Sequence, residues 1–292
     1  MAKTLAELLT FVPDKQILAL HGDSDTLISA PIVESSLDVE QGGVFVARKG
    51  LTTDGHQYID NAIKAGASVI VGEIERDDLP VPYVQVQDAQ AILGLLSAAY
   101  HDFPSRKLIV IGVTGTDGKT TTSHILHSIL KQADGIKAGF ISTISADFGD
   151  EIADTGFHVT TPSAPQVQAY LARMVEAGLT HCILEMTSHG LAQGRLNGVD
   201  IDVAVITNVM HEHLDFHGSW ENYRDAKAIM FRKLKSSFRK GNQAKISVLN
   251  ADDKSFDYFV EILADKMVSY GVQNDATYHA TDIEYHPDRT SF

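Results

Sequence analysis

The sequence predicts an α/β protein in which a small N-terminal α/β domain precedes a larger domain built on a mostly parallel sheet. Two observations carry this prediction. Short β-branched runs alternate with helical patterns along the chain, which is typical of parallel sheets covered by helices on both faces. In addition, a buried-strand pattern at 108–113 leads through a Gly/Thr-rich turn into a helical pattern, as in a phosphate-binding loop.

The chain is long enough for two domains, since its 292 residues exceed the usual size of one. The segment at 101–107, HDFPSRK, carries a proline and mixed charge between two patterned regions. We therefore place the boundary there and predict domains at 1–104 and 105–292.

Strands and helices are predicted from apolar periodicity and from the turn residues that bound each run. In the first domain the strand patterns are 17–20, 44–47, 69–72 and 83–86, and the helical patterns are 57–65 and 89–101. In the second domain the strand patterns are 108–113, 138–144, 181–185, 202–208 and 245–250. One helical pattern begins at 119, and two others span 164–177 and 221–234. The last segment, TDIEYHPDRTSF, resembles a further sheet strand.

The charge and hydrophobicity of the sequence exclude some classes of binding partner. The formal net charge of −14 argues against nucleic acid or an anionic membrane surface. No apolar run approaches the length of a membrane span, and the N-terminus lacks the long apolar centre of a signal peptide. The single cysteine, Cys182, excludes an internal disulfide. We expect a monomeric cytoplasmic protein.

The run LIVIGVTGTDGKTTTSHILHSIL, residues 108–130, has the order strand, loop and helix that a phosphate-binding loop requires. Gly115 and Gly118 allow the backbone to turn its N–H groups towards an anion at a helix N-terminus. Lys119 can then reach phosphate oxygens, and the Thr120 hydroxyl can bind Mg²⁺. The strict GxxxxGK[ST] pattern fails because position 113 is Val113. The alternative is an ordinary glycine-rich turn with an incidental lysine.

Two later segments end predicted strands with polar side chains. Glu185 closes the apolar run at 181–185, where a carboxylate can bind a hard cation or simply cap the next turn. The histidines His211, His213 and His217 follow the strand at 202–208. Zinc is the weaker interpretation, because their spacing matches no compact ligand set and a phosphate loop calls for Mg²⁺.

The loop TGTDGKTT resembles the TGTNGKTT loop of the Mur ligases, the ATP-dependent enzymes that add amino acids to the peptidoglycan precursor, with Asp117 in place of asparagine. The resemblance implies that ATP and Mg²⁺ are the cofactors. It also implies that the nucleotide is held by the loop and first helical turn, namely Gly115, Thr116, Asp117, Gly118, Lys119, Thr120 and Thr121.

The segment ITNVMHEHLDFHGSWENYRDAKAIMF, residues 206–231, resembles the TNLxxDHLDYHG…YxxAK block of the same family, with Glu212 in place of aspartate. The resemblance implies that Thr120, Glu185 and His213 bind Mg²⁺. It further implies that Lys227 is carbamylated and becomes a metal-bridging group. Lys119, Glu185, His213 and Lys227 are the catalytic candidates. Without the resemblance, Lys227 would be interpreted as a solvent-exposed lysine on a helix.

Three segments resemble the muramoyl-substrate contacts of the family members that add the third residue. EMTSHGLAQGR resembles their EVSSHG…QxR signature, and HVTTPSAPQ resembles their NTTPE segment, with Val159 and Ser163 as departures. VESSLDVEQGGVFVARKGLTT resembles their UDP-sugar-binding region, although Leu37 replaces an arginine. The residues implied in substrate binding are Ser36, Thr52, Thr53, Thr160, Thr161, Thr187, Gln193 and Arg195. Without the resemblance, turn and helix-capping roles explain these hydroxyls equally well.

The resemblance implies ATP-dependent amide ligation, in which a carboxylate of UDP-N-acetylmuramoyl-L-alanyl-D-glutamate is phosphorylated and the amine of lysine or diaminopimelate then displaces the phosphate. Family members continue into a third domain that binds the amino acid. We therefore expect a ligase fragment that does not complete ligation alone. Two alternatives remain: a non-catalytic module with the Mur fold, and a Mur-fold ligase for another substrate, as in folylpolyglutamate synthesis or lipid II amidation.

Overall fold

A computed structural model describes residues 2–50, 53–155 and 161–292. The described chain divides into two compact units. The first contains the residues up to Pro104 together with Ser163–Ala172 and Gln193–Val199, and the second contains the remainder from Ser105 onwards. The sequence-based division assigned those two inserted segments to the second domain.

The first unit is a small α/β structure. Its strands are β1 (Lys3–Thr4), β2 (Ile17–His21), β3 (Leu27–Ile28), β4 (Ile32–Val33), β5 (Val44–Val46), β6 (Val69–Gly72) and β7 (Tyr83–Val86), and its helices are α1 (Leu5–Leu9), α2 (Ile59–Ala65) and α3 (Ala89–Tyr100). Among the described strands, five form a sheet in the order β2-β7-β6-β5-β4, and β1 pairs separately with β3. Strands β4 to β7 run parallel, and β2 is an antiparallel edge strand.

Helix α3 organises the core of the first unit. Asp88 caps its N-terminus by accepting a hydrogen bond from the Ala91 N–H. Its apolar face packs with the inner residues of the sheet, and the buried cluster includes Ile92, Leu93, Leu96, Val46, Val71 and Val84. On another face Gly94 lies so close to the inserted segment that an added Cβ would lie 2.3 Å from the Asn197 carbonyl oxygen. This glycine therefore lets 193–199 pack against α3.

The second unit carries the large sheet. Its strands are β8 (Ile109–Thr114), β9 (Ala138–Ile141), β10 (Ser145–Asp147), β11 (Ile152–Asp154), β12 (His181–Glu185), β13 (Val203–Ile206), β14 (Ile246–Asn250), β15 (Lys266–Gly271), β16 (Tyr278–His279), β17 (Glu284–Tyr285) and β18 (Thr290–Ser291). The remaining helices are α4 (Lys119–Leu130), α5 (Ala164–Glu176), α6 (Ser188–Ala192), α7 (Leu214–His217), α8 (Trp220–Ser236) and α9 (Phe256–Val260). Helix α5 runs from the segment assigned to the first unit into the second.

The strand order places β8 at the centre of this sheet. Among the described residues the order is β11-β10-β9-β12-β8-β13-β14-β15-β16, and the strands from β9 to β16 run parallel. The chain leaves β8 towards β9 and β12 on one side and later reaches β13 on the other. In parallel sheets such a reversal opens a crevice at the carboxyl ends of the strands, where ligands bind.

The predicted fold class is confirmed: the protein is α/β with a large, mostly parallel sheet. Two local predictions were wrong. The strand pattern at 138–144 ends at Ile141, because the chain turns back there and adds β10 and β11 as an antiparallel edge. The C-terminal segment forms the separate β17-β18 hairpin instead of a strand of the large sheet. Among the described residues no helix is long and apolar enough to span a bilayer.

Candidate functional site

The loop between β8 and α4 presents a helix N-terminus to the crevice of the large sheet. Gly118 is the N-cap residue, with φ of 79°, and within the described chain no side chain caps it. The first-turn residues Lys119, Thr120 and Thr121 follow directly. An uncapped helix start concentrates N–H donors and the positive end of the helix dipole, which suits an anion such as phosphate.

The loop backbone is held from one side by the residues that follow β13. The Thr207 Oγ1 donates to the Asp117 carbonyl at 2.6 Å, and the Asp117 N–H donates to the Asn208 Oδ1 at 3.0 Å. Gly115 has φ of 152°, and an added Cβ would lie 1.8 Å from Thr207 Oγ1. The Thr116 hydroxyl contacts the Tyr223 hydroxyl at 3.1 Å. The Thr116 side chain therefore braces the loop from behind.

Two lysines hold the same loop through its carbonyl groups. The Lys119 ammonium donates to the Thr116 carbonyl at 2.7 Å. The Lys227 ammonium, on α8, donates to the Gly115 carbonyl at 2.6 Å. Lys227 is only 1% exposed. Burial, and then the positive charge of Lys119, hold the pKa of Lys227 well below its usual value.

A hydroxyl and a carboxylate meet beside the loop. The Thr120 Oγ1 donates to Glu185 Oε2 at 3.0 Å, and Glu185 is 2% exposed at the end of β12. Oxygen ligands of this kind suit Mg²⁺. Within residues 2–50, 53–155 and 161–292, no group of three or more His, Cys, Asp or Glu side chains is arranged to hold a metal ion. A cation at this pair would therefore take further ligands from phosphate or water.

Histidines form one wall of the same crevice. His213 has φ of 52°, which is uncommon for a residue with a side chain, and its ring centroid lies 4.9 Å from that of His189. The Nε2 of His217 lies 3.1 Å from the Ser188 Oγ. Burial, then the nearby His189 and Lys227, lower the pKa of His217 to about 4. His217 is therefore neutral at pH 7.

Several of these groups line one cleft of about 190 Å³. It brings together Lys119, Thr120, Glu185, His213 and Lys227, which the sequence analysis had singled out in three separate segments. The remaining lining residues are Gly115, Thr143, Thr187, Ser188, His189 and Tyr223. The cleft thus combines a helix N-terminus suited to an anion, the side-chain amino groups of Lys119 and Lys227, and two oxygen ligands suited to a cation, from Thr120 and Glu185.

Two of the predicted substrate residues lie in the second unit and contact each other. The hydroxyls of Thr161 and Thr187 are 3.1 Å apart, and the Thr187 N–H donates to the Thr161 Oγ1 at 3.1 Å. Thr187 also accepts a hydrogen bond from the Gly190 N–H at 3.0 Å. The Thr160 prediction lies outside the described residues.

The other predicted substrate residues lie around a cavity of about 640 Å³ in the first unit. Ser36, Thr53, Gln193 and Arg195 line it, and the Arg195 Nε donates to the Gln193 Oε1 at 3.0 Å. The Thr52 prediction lies outside the described residues. The hydroxyl, amide and guanidinium groups in the wall of this cavity suit a phosphorylated polar ligand.

Several lining residues of this cavity were not nominated from the sequence. They are Glu34, Ser35, Arg48, Lys49, Tyr58, Asn61 and Gln90. Arg48 and Lys49 directly follow the strand predicted at 44–47. Since ligands of parallel sheets gather at the carboxyl ends of strands, their position after that strand was the available signal. Gln90, in the first turn of α3, carried no comparable signal.

Residues 113–292 match a family profile described as the Mur ligase middle domain. The match covers more than half of the chain. The chain belongs to the Mur ligase family. A second profile, described as the catalytic domain of the Mur ligase family, matches residues 34–101.

Similar Mur ligases are known from several bacteria. UDP-N-acetylmuramoyl-L-alanyl-D-glutamate–2,6-diaminopimelate ligases of Bacillus licheniformis and Bacillus velezensis are 37% identical over 288 residues and 39% identical over 290. Each alignment covers 99% of this chain and 57% of the relative. A solved structure of a ligase with the same name superposes with a TM-score of 0.80 at 26% identity, covering 99% of this chain and 57% of the other. The chain thus spans little more than half the length of the Mur ligases it matches.

Proposed function

We propose that this Mur ligase chain carries the uridine-nucleotide site and the ATP site of an enzyme that adds diaminopimelate to UDP-N-acetylmuramoyl-L-alanyl-D-glutamate. The observation that carries the proposal is the cleft of the second unit, which joins the loop before α4 to Glu185 and Lys227. The names of the relatives support the dipeptide substrate and diaminopimelate.

The residues of the cleft fit a nucleoside triphosphate with Mg²⁺. The uncapped start of α4 and Lys119 suit the phosphates. Thr120, Glu185 and His213, with Lys227 once carbamylated, would hold the metal, which when bound neutralises charge on phosphate oxygens. Phosphoryl transfer needs chiefly positioning and charge neutralisation, and these side chains supply both.

The chemistry divides between the chain's own groups. Lys119 stabilises the negative charge that develops on the transferred phosphoryl group as a carboxylate of the muramoyl dipeptide attacks it. Lys227 and Tyr223 keep the loop backbone in place through Gly115 and Thr116. In the first unit, Ser36, Thr53, Gln193 and Arg195 bind the nucleotide-sugar portion of the substrate. ADP leaves as the acyl phosphate forms. The amine then attacks the acyl carbon, loses a proton and displaces phosphate, which gives the amide.

Calorimetry tests the proposal directly. The purified chain is titrated with UDP-N-acetylmuramoyl-L-alanyl-D-glutamate, and separately with a non-hydrolysable ATP analogue with and without Mg²⁺. We expect one-to-one binding of each ligand, with Mg²⁺ strengthening the binding of the ATP analogue. Binding of the analogue without binding of the muramoyl substrate would leave a Mur-fold protein acting on something else.

A further inference from the structure

The cavity of the first unit is positively charged in a strongly acidic protein. Its charged lining residues are Glu34, Arg48, Lys49 and Arg195, so three cations face one carboxylate. The whole chain has a formal net charge of −14. A local excess of cations of this kind attracts an anionic ligand. Leu37, which is 93% exposed, adds no charge to this wall.

Glu34 and Arg48 form an ion pair across two neighbouring strand ends. Glu34 follows β4, and Arg48 lies just beyond β5, its parallel neighbour. The Arg48 Nε donates to Glu34 Oε2. The Arg48 backbone is fixed, because its carbonyl accepts a hydrogen bond from the Gly55 N–H at 2.9 Å. Both side chains remain partly exposed to the cavity, at 29% for Arg48 and 22% for Glu34.

Arg195 approaches the same pair from the inserted segment 193–199. Burial lowers the pKa of Arg195, Glu34 raises it, and Arg48 lowers it again. The positive charges of the two guanidinium groups therefore repel each other, and the negative charge of Glu34 offsets part of that repulsion. An anion with several oxygens would relieve this repulsion better than one carboxylate, since each guanidinium can bind two oxygens at once.

We propose that Glu34 occupies the position of the ligand in the free protein, where its carboxylate pairs with Arg48. When the nucleotide sugar binds, Arg48 leaves Glu34 and pairs with the diphosphate, to which Arg195 also binds. The inference rests on the proposed function, because it takes the first-unit cavity as the uridine-nucleotide site. It makes Arg48 a diphosphate-binding residue and Glu34 a competitor that keeps the cavity from binding simple anions.

The test compares UDP with uridine as probes, by calorimetry on the whole chain. Arg48→Leu should weaken UDP binding about tenfold to a hundredfold, the range expected for a charge-assisted hydrogen bond, and should leave uridine binding unchanged. Arg48→Lys should fall between the wild type and Arg48→Leu, because an ammonium cannot bind two oxygens in the same plane. Arg76→Leu is the matched control, since Arg76 pairs with Asp78 in the same unit but does not line this cavity.

The variant Glu34→Gln distinguishes the proposed exchange of partners by Arg48 from a purely structural role of Glu34. Removing the competing carboxylate should strengthen UDP binding about threefold or more, with a smaller effect on uridine. Equal loss of UDP binding in Glu34→Gln and Arg48→Leu would overturn the exchange, because Glu34 would then be needed to position Arg48. Unchanged UDP affinity in a folded Arg48→Leu variant would overturn the role of Arg48. If the wild type binds neither probe, the proposed function itself fails.

Discussion

Gly115 shows how closely the phosphate loop packs against the strand beside it. Its φ of 152° and the 1.8 Å separation that an added Cβ would have from Thr207 Oγ1 leave no room for a side chain. Thr207 in turn donates to the Asp117 carbonyl. The loop conformation therefore depends on a contact between the residue that follows β8 and the residue that follows β13, which a motif search does not detect.

Gly115→Ala is expected to displace the loop and to weaken the binding of an ATP analogue about tenfold or more. The overpacking should also lower the free energy of unfolding by about 1–3 kcal/mol. Gly135→Ala is the control, since Gly135 shares a positive φ but an added Cβ there meets nothing within 4 Å. Titration and denaturant unfolding check both effects. Equal nucleotide affinity in the two variants would contradict the account of the loop.

Lys227 is expected to form a carbamate. Its pKa is held well below its usual value by burial and by Lys119, and this shift favours the neutral amine, which is the form that attacks CO₂. With ¹³C-labelled bicarbonate, NMR should show a carbamate signal that disappears in Lys227→Met. Lys235→Met, at an exposed position in the last turn of the same helix, should retain it. A signal that survives Lys227→Met would assign the modification to another amine.

His217 should make the protein less stable in acid. Burial and nearby positive charge lower the folded-state pKa of His217 from its ordinary value of 6.5 to about 4, so the unfolded chain binds a proton first as the pH falls. The stability that neutral His217 contributes is present above about pH 6.5 and is lost as the pH falls through 4. Unfolding midpoints of His217→Gln should therefore decline less steeply over this range than those of the wild type. His279→Gln, at an exposed position, should follow the wild type.

At the scale of the element, the parallel strands of the large sheet separate function from stability. Their carboxyl ends carry the cleft residues, and their amino ends carry a buried ion network. Asp202 accepts hydrogen bonds from the Lys245 ammonium at 3.0 Å and from the Val110 N–H at 2.8 Å, and it also pairs with Lys240. Lys245 and Asp202 are both fully buried.

Asp202→Asn is expected to lower the free energy of unfolding by about 3–5 kcal/mol, because it leaves the buried Lys245 ammonium without its counter-charge. Nucleotide affinity of the folded variant should not change, since the network lies at the other ends of the strands. Denaturant unfolding measures the first effect, and Asp275→Asn, an exposed change of the same kind, is the control. A loss below about 1 kcal/mol would contradict the assigned role of the network.

Local signals were sufficient for most elements and for the phosphate loop, whereas His213 and Lys227 of the second-unit cleft were proposed only through the resemblance to the Mur ligases. The strands at 69–72, 83–86 and 181–185 have the bounds that their apolar runs predict. The β10-β11 hairpin was missed because its short strands, at the edge of the sheet, carry no strong period. Arg48 was missed because its role depends on Glu34, fourteen residues away in the chain, and on Arg195. Pairing across strands is not encoded in local periodicity.

At the scale of the whole molecule, the chain holds two candidate sites in two compact units. The first-unit cavity presents Arg48, Lys49 and Arg195, and the second-unit cleft presents Lys119 and Lys227. Each set of cations is local, in a chain whose overall charge is negative. The proposed binding of two anionic ligands would therefore depend on these two clusters and not on the net charge of the protein.

The most direct test of this account is a crossed titration of two variants with both ligands. Lys119→Ala should lose the ATP analogue with Mg²⁺ and keep UDP-N-acetylmuramoyl-L-alanyl-D-glutamate. Arg195→Ala should show the opposite pattern. We predict that each variant still binds one of the two ligands with wild-type affinity. Loss of both ligands in either folded variant, or retention of both in the two variants, would contradict the assignment of one site to each unit.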